Sequence, residues 1–227
     1  MISYDEAYKS CVDDPSMIFT LIKQENYFVI EELIDNNKVL VNIVDGVGND
    51  VVTRLLRAHE YDLVIKLMKK RNWDVNHQND DGNTFGHFLA IDHSVGAIKV
   101  MEQLQKKKNY FPNIKNNKGE TALDLAVNNH YLYYAFKLIE DKRFNNIDVF
   151  SFKNLINACI KNSSYGKYSK INNLEVLVEN MEKKDLNPTL RDLVDNISIN
   201  MDAIKKDFMN NRVGILDSII NSHAVMA

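Results

Sequence analysis

The strongest constraint on the fold of this chain is a repeat with a period of about 33 to 39 residues. Three segments align on Gly48, Gly82 and Gly119, which are 34 and 37 residues apart. A second marker is the apolar centre of a helical pattern that recurs along the chain. These centres are Leu33, Leu67, Val100, Leu138 and Leu177, which are separated by 34, 33, 38 and 39 residues. Because two independent markers give nearly the same period, the sequence predicts a chain built from one repeated unit.

Each aligned segment is followed by two short stretches with helical periodicity. The best-preserved segments read DGNTFGHFLA at residues 81–90 and KGETALDLA at residues 118–126. They resemble the ankyrin repeat, in which a β-turn finger, an inner helix and an outer helix occupy about 33 residues. The segment at residues 48–52 departs further from this pattern, and all three lack the proline that the family carries. The resemblance covers residues 41–141 and extends to 15–40 and 145–184.

The residues that recur at matching positions of these segments suit a turn that leads into a helix. Glycine tolerates the positive φ that a side chain with a Cβ resists. Thr84 and Thr121 stand where a hydroxyl can cap the N–H groups at the start of a helix. Ala90 and Ala126 are small where two helices approach closely. One such unit cannot bury its apolar face alone, so we expect the units to stack and the terminal ones to differ.

The predicted fold is an all-α solenoid of about five ankyrin-like helix pairs, with short β-turn fingers and a helical C-terminal cap. A first short helix is predicted at about 3–12, and the first helix pair is predicted at 15–24 with 27–37. Helix pairs follow at 50–58 with 61–71, 84–92 with 95–108, 121–129 with 131–142, and 151–161 with 172–183. The predicted domains are a stack at 1–184, whose fifth unit is interrupted by a polar loop near 162–170, and a helical cap at 185–227.

Composition excludes several classes of protein. With 8 Gly and 3 Pro in 227 residues, the chain has too few breakers for a turn-rich sandwich or a disordered chain. The 28 basic and 31 acidic residues leave a net charge of −3, so electrostatics gives no reason to expect direct binding to nucleic acid or to an anionic membrane. Cys11 and Cys159 are too few for a disulfide scaffold or a cysteine-based zinc site.

The N-terminal residues and the lengths of the apolar runs favour an intracellular protein. Residues 1–6 have neither the basic region nor the apolar core of a signal peptide. No uncharged apolar run approaches the roughly 18 residues that a transmembrane helix needs. We therefore expect a cytoplasmic or nuclear protein that does not insert into a membrane and is a monomer when alone.

No group of residues has the spacing of a catalytic or metal site. His87 and His93 are six residues apart, whereas helical metal pairs are three or four apart, and His87 occupies the position of a structural histidine in ankyrin repeats. Asp80 and Asp81 adjoin at a turn, where carboxylates are usually solvated. An enzyme site in the tail, around residues such as Asp185 and His223, remains an alternative without motif support. The prediction is a non-enzyme that needs no cofactor and no metal.

Basic and aromatic clusters recur at the ends of the outer helices. Residues 69–71 and 106–108 suit the negative end of a helix dipole better than a localisation signal. These ends are followed by Trp73, by Tyr110 with Phe111, and by Phe144, and packing of the returning loop is favoured over an aromatic binding strip. Asparagine makes up about 13% of the chain (29 of 227 residues), which we interpret as a compositional bias of the source genome.

The resemblance implies a function in protein–protein interaction, because ankyrin-repeat proteins generally bind other proteins through the finger tips and the exposed side of the inner helices. The implied contact residues, in the three recognisable repeats, are Val44, Val47, Asn49, Arg57, Gln78, Asp80, Asp81, Asn83, Ile91, Asp92, Lys115, Asn117, Lys118, Glu120, Asn128 and Asn129. Their mixture of apolar, acidic and basic groups suits one specific protein partner. The alternative is that the chain is the ankyrin portion of a larger regulator, such as a transcription-factor subunit, a trafficking adaptor or a secreted effector.

Overall fold

The computed structural model describes residues 3–36, 38–145, 147–161 and 166–223. Across these ranges the regular structure is helical, with 14 α-helices and one 3₁₀ helix. The extended residues there contribute one isolated antiparallel bridge, between Val44 and Asp50. The predicted all-α class is confirmed. Within the same ranges, no helix is both long and apolar enough to cross a membrane.

The helices follow one another with short connections. In chain order they are α1 (Tyr4–Asp13), α2 (Met17–Lys23), α3 (Tyr27–Asn36), the 3₁₀ helix (Lys38–Asn42), α4 (Val51–Arg57), α5 (Tyr61–Leu67), α6 (Phe85–Leu89), α7 (Val95–Gln105), α8 (Ala122–Asn128), α9 (Leu132–Glu140), α10 (Val149–Lys161), α11 (Lys167–Glu182), α12 (Pro188–Ile199), α13 (Met201–Met209) and α14 (Gly214–Ser222).

Contacts divide the chain into two compact units, Met1–Leu125 and Ala126–Ala227. The boundary falls inside α8, one turn after its start. The predicted division at residues 184 and 185 is a different one, and it stays a prediction.

The first unit is made of consecutive helix pairs. Each pair packs together, α2 on α3, α4 on α5 and α6 on α7. The first helices also contact one another in order, α2 with α4 and α4 with α6, and so do the second helices α3, α5 and α7. The apolar stripes face inward, and Leu55, Leu67 and Val100 are fully buried. Every pair therefore covers an apolar face of the next, which a single pair could not bury alone.

The second unit is organised around α11, which contacts α9, α10, α12 and α13. The tail after Pro188 has the helical periodicity that its sequence predicts, because Leu190, Leu193, Val194 and Ile197 on α12 are all fully buried. Helix α12 begins with Asn187 as its N-cap and proline in its first turn, where the missing N–H of proline costs nothing. Helix α14 packs on α12 and α13.

Two predicted boundaries differ from the structure by four or five residues, more than the others do. The helix predicted at 61–71 ends at Leu67, because Lys69 and Lys70 donate their N–H groups three residues back, to Lys66 and Leu67, and so tighten the last turn. Helix α11 begins at Lys167, five residues before its predicted start at 172. Gly166 is its N-cap, so residues 167–170 of the predicted loop are helical, and residues 162–165 lie outside the described residues.

Candidate functional site

Three turns with the same geometry lie at the positions of the aligned glycines. We call them turn 1 (residues 45–50), turn 2 (79–84) and turn 3 (116–121). In each, the first residue donates its N–H to the carbonyl of the fifth, at 3.0, 3.0 and 2.8 Å in turns 1, 2 and 3. The glycine at the fourth position has a φ of +76°, +75° and +79° in turns 1, 2 and 3. This left-handed backbone explains why glycine recurs there.

The first side chain of each turn fixes its shape. The Oδ1 atoms of Asp45, Asn79 and Asn116 each accept two backbone N–H groups, from the residues two and four positions later, at 2.8–3.1 Å. Asp and Asn side chains favour such local bonds, and the bonds satisfy turn donors that secondary structure leaves unpaired. Burial works against the charge of Asp45, but these bonds and the Arg54 guanidinium outweigh it and hold the pKa of this carboxyl below its usual value.

Asparagine side chains join neighbouring turns. Asn79 donates its Nδ2 to Asn49 Oδ1, and Asn116 donates its Nδ2 to Asn83 Oδ1, both at 3.0 Å. The backbone adds bonds between the same turns, from Asp80 N to the carbonyl of Val47 at 3.2 Å and from Asn117 N to that of Asp81 at 2.9 Å. The three turns therefore lie side by side in one hydrogen-bonded row.

A second pair of asparagines repeats this role beside the turns. Asn42 donates to the carbonyl of Asn72 at 2.5 Å and accepts the N–H of Asp74 at 3.0 Å. Asn76 makes the equivalent bonds to the carbonyl of Asn109 at 2.6 Å and the N–H of Phe111 at 2.8 Å. At these two positions the amide both donates and accepts, so asparagine has a structural role there, and the interpretation of the overall asparagine content as a bias of the source genome stays a prediction.

The residue that ends each turn leads into a helix. Asp50 accepts the N–H of Thr53 at 2.7 Å, and its other oxygen accepts Trp73 Nε1 at 2.8 Å. Burial raises the pKa of the Asp50 carboxyl, although these two donors work in the opposite direction. At the end of turn 3, Thr121 Oγ1 accepts the N–H of Asp124 at 3.3 Å. The cap predicted for Thr121 is thus present.

His87 joins turn 2 to turn 3 and has a structural role. Its Nδ1 accepts the N–H of Thr84 at 3.1 Å, so Nε2 carries the proton and donates it to the carbonyl of Glu120 at 3.0 Å. The bond that Nδ1 accepts needs the neutral ring, whereas Nε2 can donate to the carbonyl from either protonation state. Burial lowers the pKa of His87 below its usual value of 6.5, and the carbonyl of Glu120 opposes this shift.

Most of the predicted contact residues are exposed. These are Val44, Val47, Arg57, Gln78, Asp80, Asp81, Ile91, Lys115, Asn117, Lys118, Asn128 and Asn129. Asn83, Asp92 and Glu120 are half-buried. Asn49 is 1% exposed and bonded to turn 2, so its assignment as a partner contact is corrected to a structural one. The sequence pattern could not separate it from the exposed positions because its partner lies 30 residues away.

The tips of turns 2 and 3 carry charges without ion-pair partners. In the described part of the chain, no salt bridge is formed by Asp80 and Asp81 on turn 2, by Lys118 on turn 3 or by Lys115 just before it. Gln78 spans the two turns by donating to the carbonyls of Gly82 and Lys115, at 2.7 and 3.0 Å. An acidic and a basic surface thus lie next to each other on a hydrogen-bonded frame.

A pocket of about 290 Å³ lies where α4 and α6 end. It brings together the predicted contacts Arg57, Ile91 and Asp92. It also contains residues that the sequence analysis did not single out as contacts, namely Leu56, His59, Phe88 and His93. The sequence analysis missed these residues because the chain turns sharply after α4, at His59, which has a φ of +63°.

Asn128 lies elsewhere in the structure. In the second unit it lines a separate pocket of about 320 Å³, with His130, Asn154 and Lys161 among its neighbours. Asn129 is exposed beside it.

Both thiols are buried, and Cys11 is 3% exposed. Burial raises the pKa of the Cys159 thiol to about 12, which leaves it in the unreactive protonated form at neutral pH. Within the described ranges, no three His, Cys, Asp or Glu side chains converge as a metal site would require.

Comparison with known proteins gives distant relatives. No protein-family model matches the chain. It is 25% identical over 145 residues to alpha-latroinsectotoxin-Lt1a of Latrodectus tredecimguttatus, an alignment that covers 64% of this chain and 10% of the toxin. It is 23% identical over 166 residues to the phosphocholine transferase AnkX of Legionella pneumophila subsp. pneumophila, covering 62% of this chain and 18% of the transferase. The chain thus spans less than a fifth of the length of either relative.

Proposed function

We propose that this chain is a non-catalytic protein-interaction module built from ankyrin-like repeats, which binds a protein partner through its turns and the exposed ends of its first helices. The observation that carries the proposal is the row formed by turns 1, 2 and 3. Hydrogen bonds hold this row in a fixed shape, while the charged tips of turns 2 and 3 have no ion-pair partner in the described part of the chain.

A second recurring feature supports the repeat. Glu25, His59 and His130 each follow a helix with a positive φ, of 58°, 63° and 58°. In all three places the N–H of this residue bonds three residues back and the next N–H bonds five residues back, which is the Schellman pattern of a helix end. The first two are 34 residues apart and the last two are 71 apart, or about two periods. The turns and the helix ends thus repeat together.

The charges of the turn tips indicate the kind of partner. A polyanion would select a continuous basic surface, because its affinity comes from neutralised phosphates. Asp80 and Asp81 would repel such a partner, whereas Lys115 and Lys118 would attract it. A folded protein can present groups of both signs in matching places, so the pattern favours a specific protein partner. We propose that the module acts as a monomer in the cytoplasm or nucleus, where two buried unpaired thiols stay reduced.

A second candidate is that the chain is the repeat portion of a larger regulator, such as a transcription-factor subunit, a trafficking adaptor or a secreted effector. The favouring observation is that the aligned segment makes up only 10% and 18% of the two relatives. Because the alignment covers so small a part of the transferase, the proposal does not extend its activity to this chain.

The test is partner capture with two charge-reversed variants. Asp80→Lys with Asp81→Lys alters the turn tips, and Lys106→Glu with Lys107→Glu alters the end of α7 by the same number of charges. Asp80, Asp81 and Lys106 are exposed, whereas Lys107 is half-buried with its Nζ over the Trp73 ring. Circular dichroism and a native-like melting temperature must therefore show that both variants are folded. We expect the first variant to lose the partner that the native chain captures and the second to keep it. The reverse result would place binding at the ends of the outer helices and overturn the proposal.

A further inference from the structure

We propose that the pocket at the ends of α4 and α6 binds an acidic peptide segment of the partner, taking one apolar side chain into the pocket and pairing an adjacent carboxylate with Arg57. This inference rests on the proposed function, which it deepens by naming the ligand chemistry of a site within the interface.

The size and lining of the pocket suit a single side chain. Its volume of about 290 Å³ lies at the lower limit of pockets that hold small molecules, which are roughly 300–1,000 Å³. Phe88 forms one apolar wall, and Ile91 is 51% exposed beside it. An exposed isoleucine next to an aromatic ring gains free energy when a partner covers it. A leucine-sized or phenylalanine-sized group fits this space.

The rim of the pocket carries one positively charged side chain, Arg57, that forms no ion pair with a described residue. The Arg57 guanidinium lies over the Phe88 ring, 5.7 Å from its centroid, and makes no ion pair with any described residue. The other arginine of α4, Arg54, is paired with Asp45 at 2.6 Å. An arginine that lies on an aromatic ring keeps its edge free for a bidentate bond to a carboxylate.

The Asp92 carboxylate in the pocket makes no ion pair with Arg57, because neutral donors of the pocket wall hold its two oxygens. Asp92 accepts the Tyr61 hydroxyl at 2.8 Å and the N–H of Ser94 at 3.0 Å. His59 Nδ1 lies 3.7 Å from the same carboxylate and contacts the Tyr61 hydroxyl. Asp92 is therefore part of the wall, and a ligand carboxylate would meet Arg57 rather than an unpaired acid.

The wall is held in place before any ligand binds. The Ser94 hydroxyl donates to the Tyr61 hydroxyl at 2.7 Å, and the Tyr61 ring lies directly against Gly96, where a Cβ would overlap it. A preformed site loses little conformational entropy when it binds, so even a short segment can gain affinity there.

The pocket lies one short helix away from the turns of the proposed interface. Helix α4 starts directly after turn 1 and has seven residues, so its two ends are about 10 Å apart. Helix α6 starts directly after turn 2. An extended segment of three to four residues spans this distance, at about 3.3 Å per residue. One segment of a partner could therefore contact a turn tip and the pocket together.

The experiment measures binding of defined peptides to the full chain by fluorescence polarisation. The probe is a labelled nonapeptide with a central leucine and two glutamates on each side. One matched peptide replaces the leucine with alanine, and the other replaces the glutamates with lysines. We expect the probe to bind with a Kd below about 1 mM and each replacement to weaken it about tenfold or more. Equal binding of the lysine peptide, or no binding at about 1 mM, would overturn the proposal.

Variants of the chain locate the site. Arg57→Gln and Ile91→Asp change exposed side chains, so the fold should persist, and each should weaken the probe about tenfold. Lys106→Gln, which removes an exposed positive charge outside the proposed interface, is the control and should leave probe binding unchanged. Unaltered affinity in both pocket variants would overturn the proposal. So would self-association of the native chain that Ile91→Asp abolishes, since a second copy would then occupy the pocket.

The two proposals fail in distinguishable ways. If no probe binds while the turn-tip variant still loses its partner, the pocket proposal is wrong and the proposed function stands. If the probe binds through Arg57 while both charge-reversed variants capture partners normally, the pocket is real and the turns are not the interface.

Discussion

Three glycine-to-alanine variants distinguish the unfolding free energy lost to backbone strain within a turn from that lost with the contact between turns. Gly46 has an ordinary φ and open space around its Cα, so alanine should fit there. Gly119 has a φ of +79° and open space, so alanine meets backbone strain alone. Gly82 has a φ of +75° and also faces turn 3, where a Cβ would lie 2.7 Å from the backbone nitrogen of Asn117 and 2.5 Å from its Oδ1.

The expected losses of unfolding free energy follow from these differences. Gly46→Ala should change it by less than about 0.5 kcal/mol, as surface changes usually do. Gly119→Ala should cost about 1 kcal/mol, the lower end of the left-handed penalty for a residue with a Cβ. Gly82→Ala forces Asn117 away and so removes its N–H bond to Asp81 and its Nδ2 bond to Asp80 as well. At about 1 kcal/mol for each hydrogen bond, its total cost should be about 3 kcal/mol.

Urea unfolding followed by circular dichroism measures the series. The difference of about 2 kcal/mol between Gly82→Ala and Gly119→Ala is the part assigned to the contact between turns 2 and 3. If the two variants lose the same amount, within about 0.5 kcal/mol, turn 3 does not rest against Gly82 and the reasoning about a hydrogen-bonded row is refuted.

Four further outcomes are expected. Asn116→Ala removes both acceptor bonds in turn 3 and the donor bond to turn 2, so urea unfolding should show a loss of about 3 kcal/mol, against little change for the exposed control Asn109→Ala. Because the pKa of His87 lies below 6.5 in the folded chain, the unfolded chain takes up this proton first as the pH falls. Stability should therefore decrease below about pH 6.5, and His87→Gln should flatten that decrease in urea titrations at several pH values. Cys159 is buried and its pKa is about 12, so a thiol reagent should react with it only as fast as the protein opens. A reaction rate equal to that of free cysteine would contradict this expectation. Removing the residues after Lys184 removes α12, whose apolar face packs on α11, and so exposes an apolar surface of α11. The truncated chain should therefore aggregate or lose several kcal/mol of unfolding free energy. A monomeric truncation with an unchanged melting temperature would show that the tail is independent.

The features that the sequence predicted are those that local chemistry determines. Helical periodicity located the helices, and the spacing of the glycines located the turns, because a positive φ is a property of one residue. Burial was also predicted correctly for Trp73, Tyr110 and Phe144, which are at most 3% exposed, but it was wrong for Phe111, which is 61% exposed. The three buried aromatic side chains lie four to six residues after the ends of α5, α7 and α9, where the chain returns to the next repeat.

The contacts between repeats were not predicted, because they join residues about 30 positions apart. Asn79 and Asn116 each need an asparagine of the preceding turn, and nothing in one segment alone shows that partner. A signal was nevertheless present: Asn42, Asn76 and Asn113 have the same spacings of 34 and 37 as the glycines. Aligning asparagines as well as glycines would have separated structural amides from exposed ones.

The pocket also needed the structure. Arg57 and Ile91 lie 34 residues apart and at the ends of different helices, so their sequence positions predicted exposure but not proximity. Their meeting depends on the sharp turn at His59 and on Tyr61 bonded across to Asp92. Neither the left-handed histidine nor this tertiary hydrogen bond follows from helical periodicity.

The central claim is that the row of turns and the adjoining helix ends form the partner-binding surface. Hydrogen–deuterium exchange of the native chain, alone and with its captured partner, tests it most directly because it reports every segment of the backbone at once. The account predicts added protection at residues 79–84 and 115–120 and at the ends of α4 and α6, with none at residues 69–71 and 106–108. Protection confined to those outer-helix ends, with turns 2 and 3 unchanged, would contradict the account.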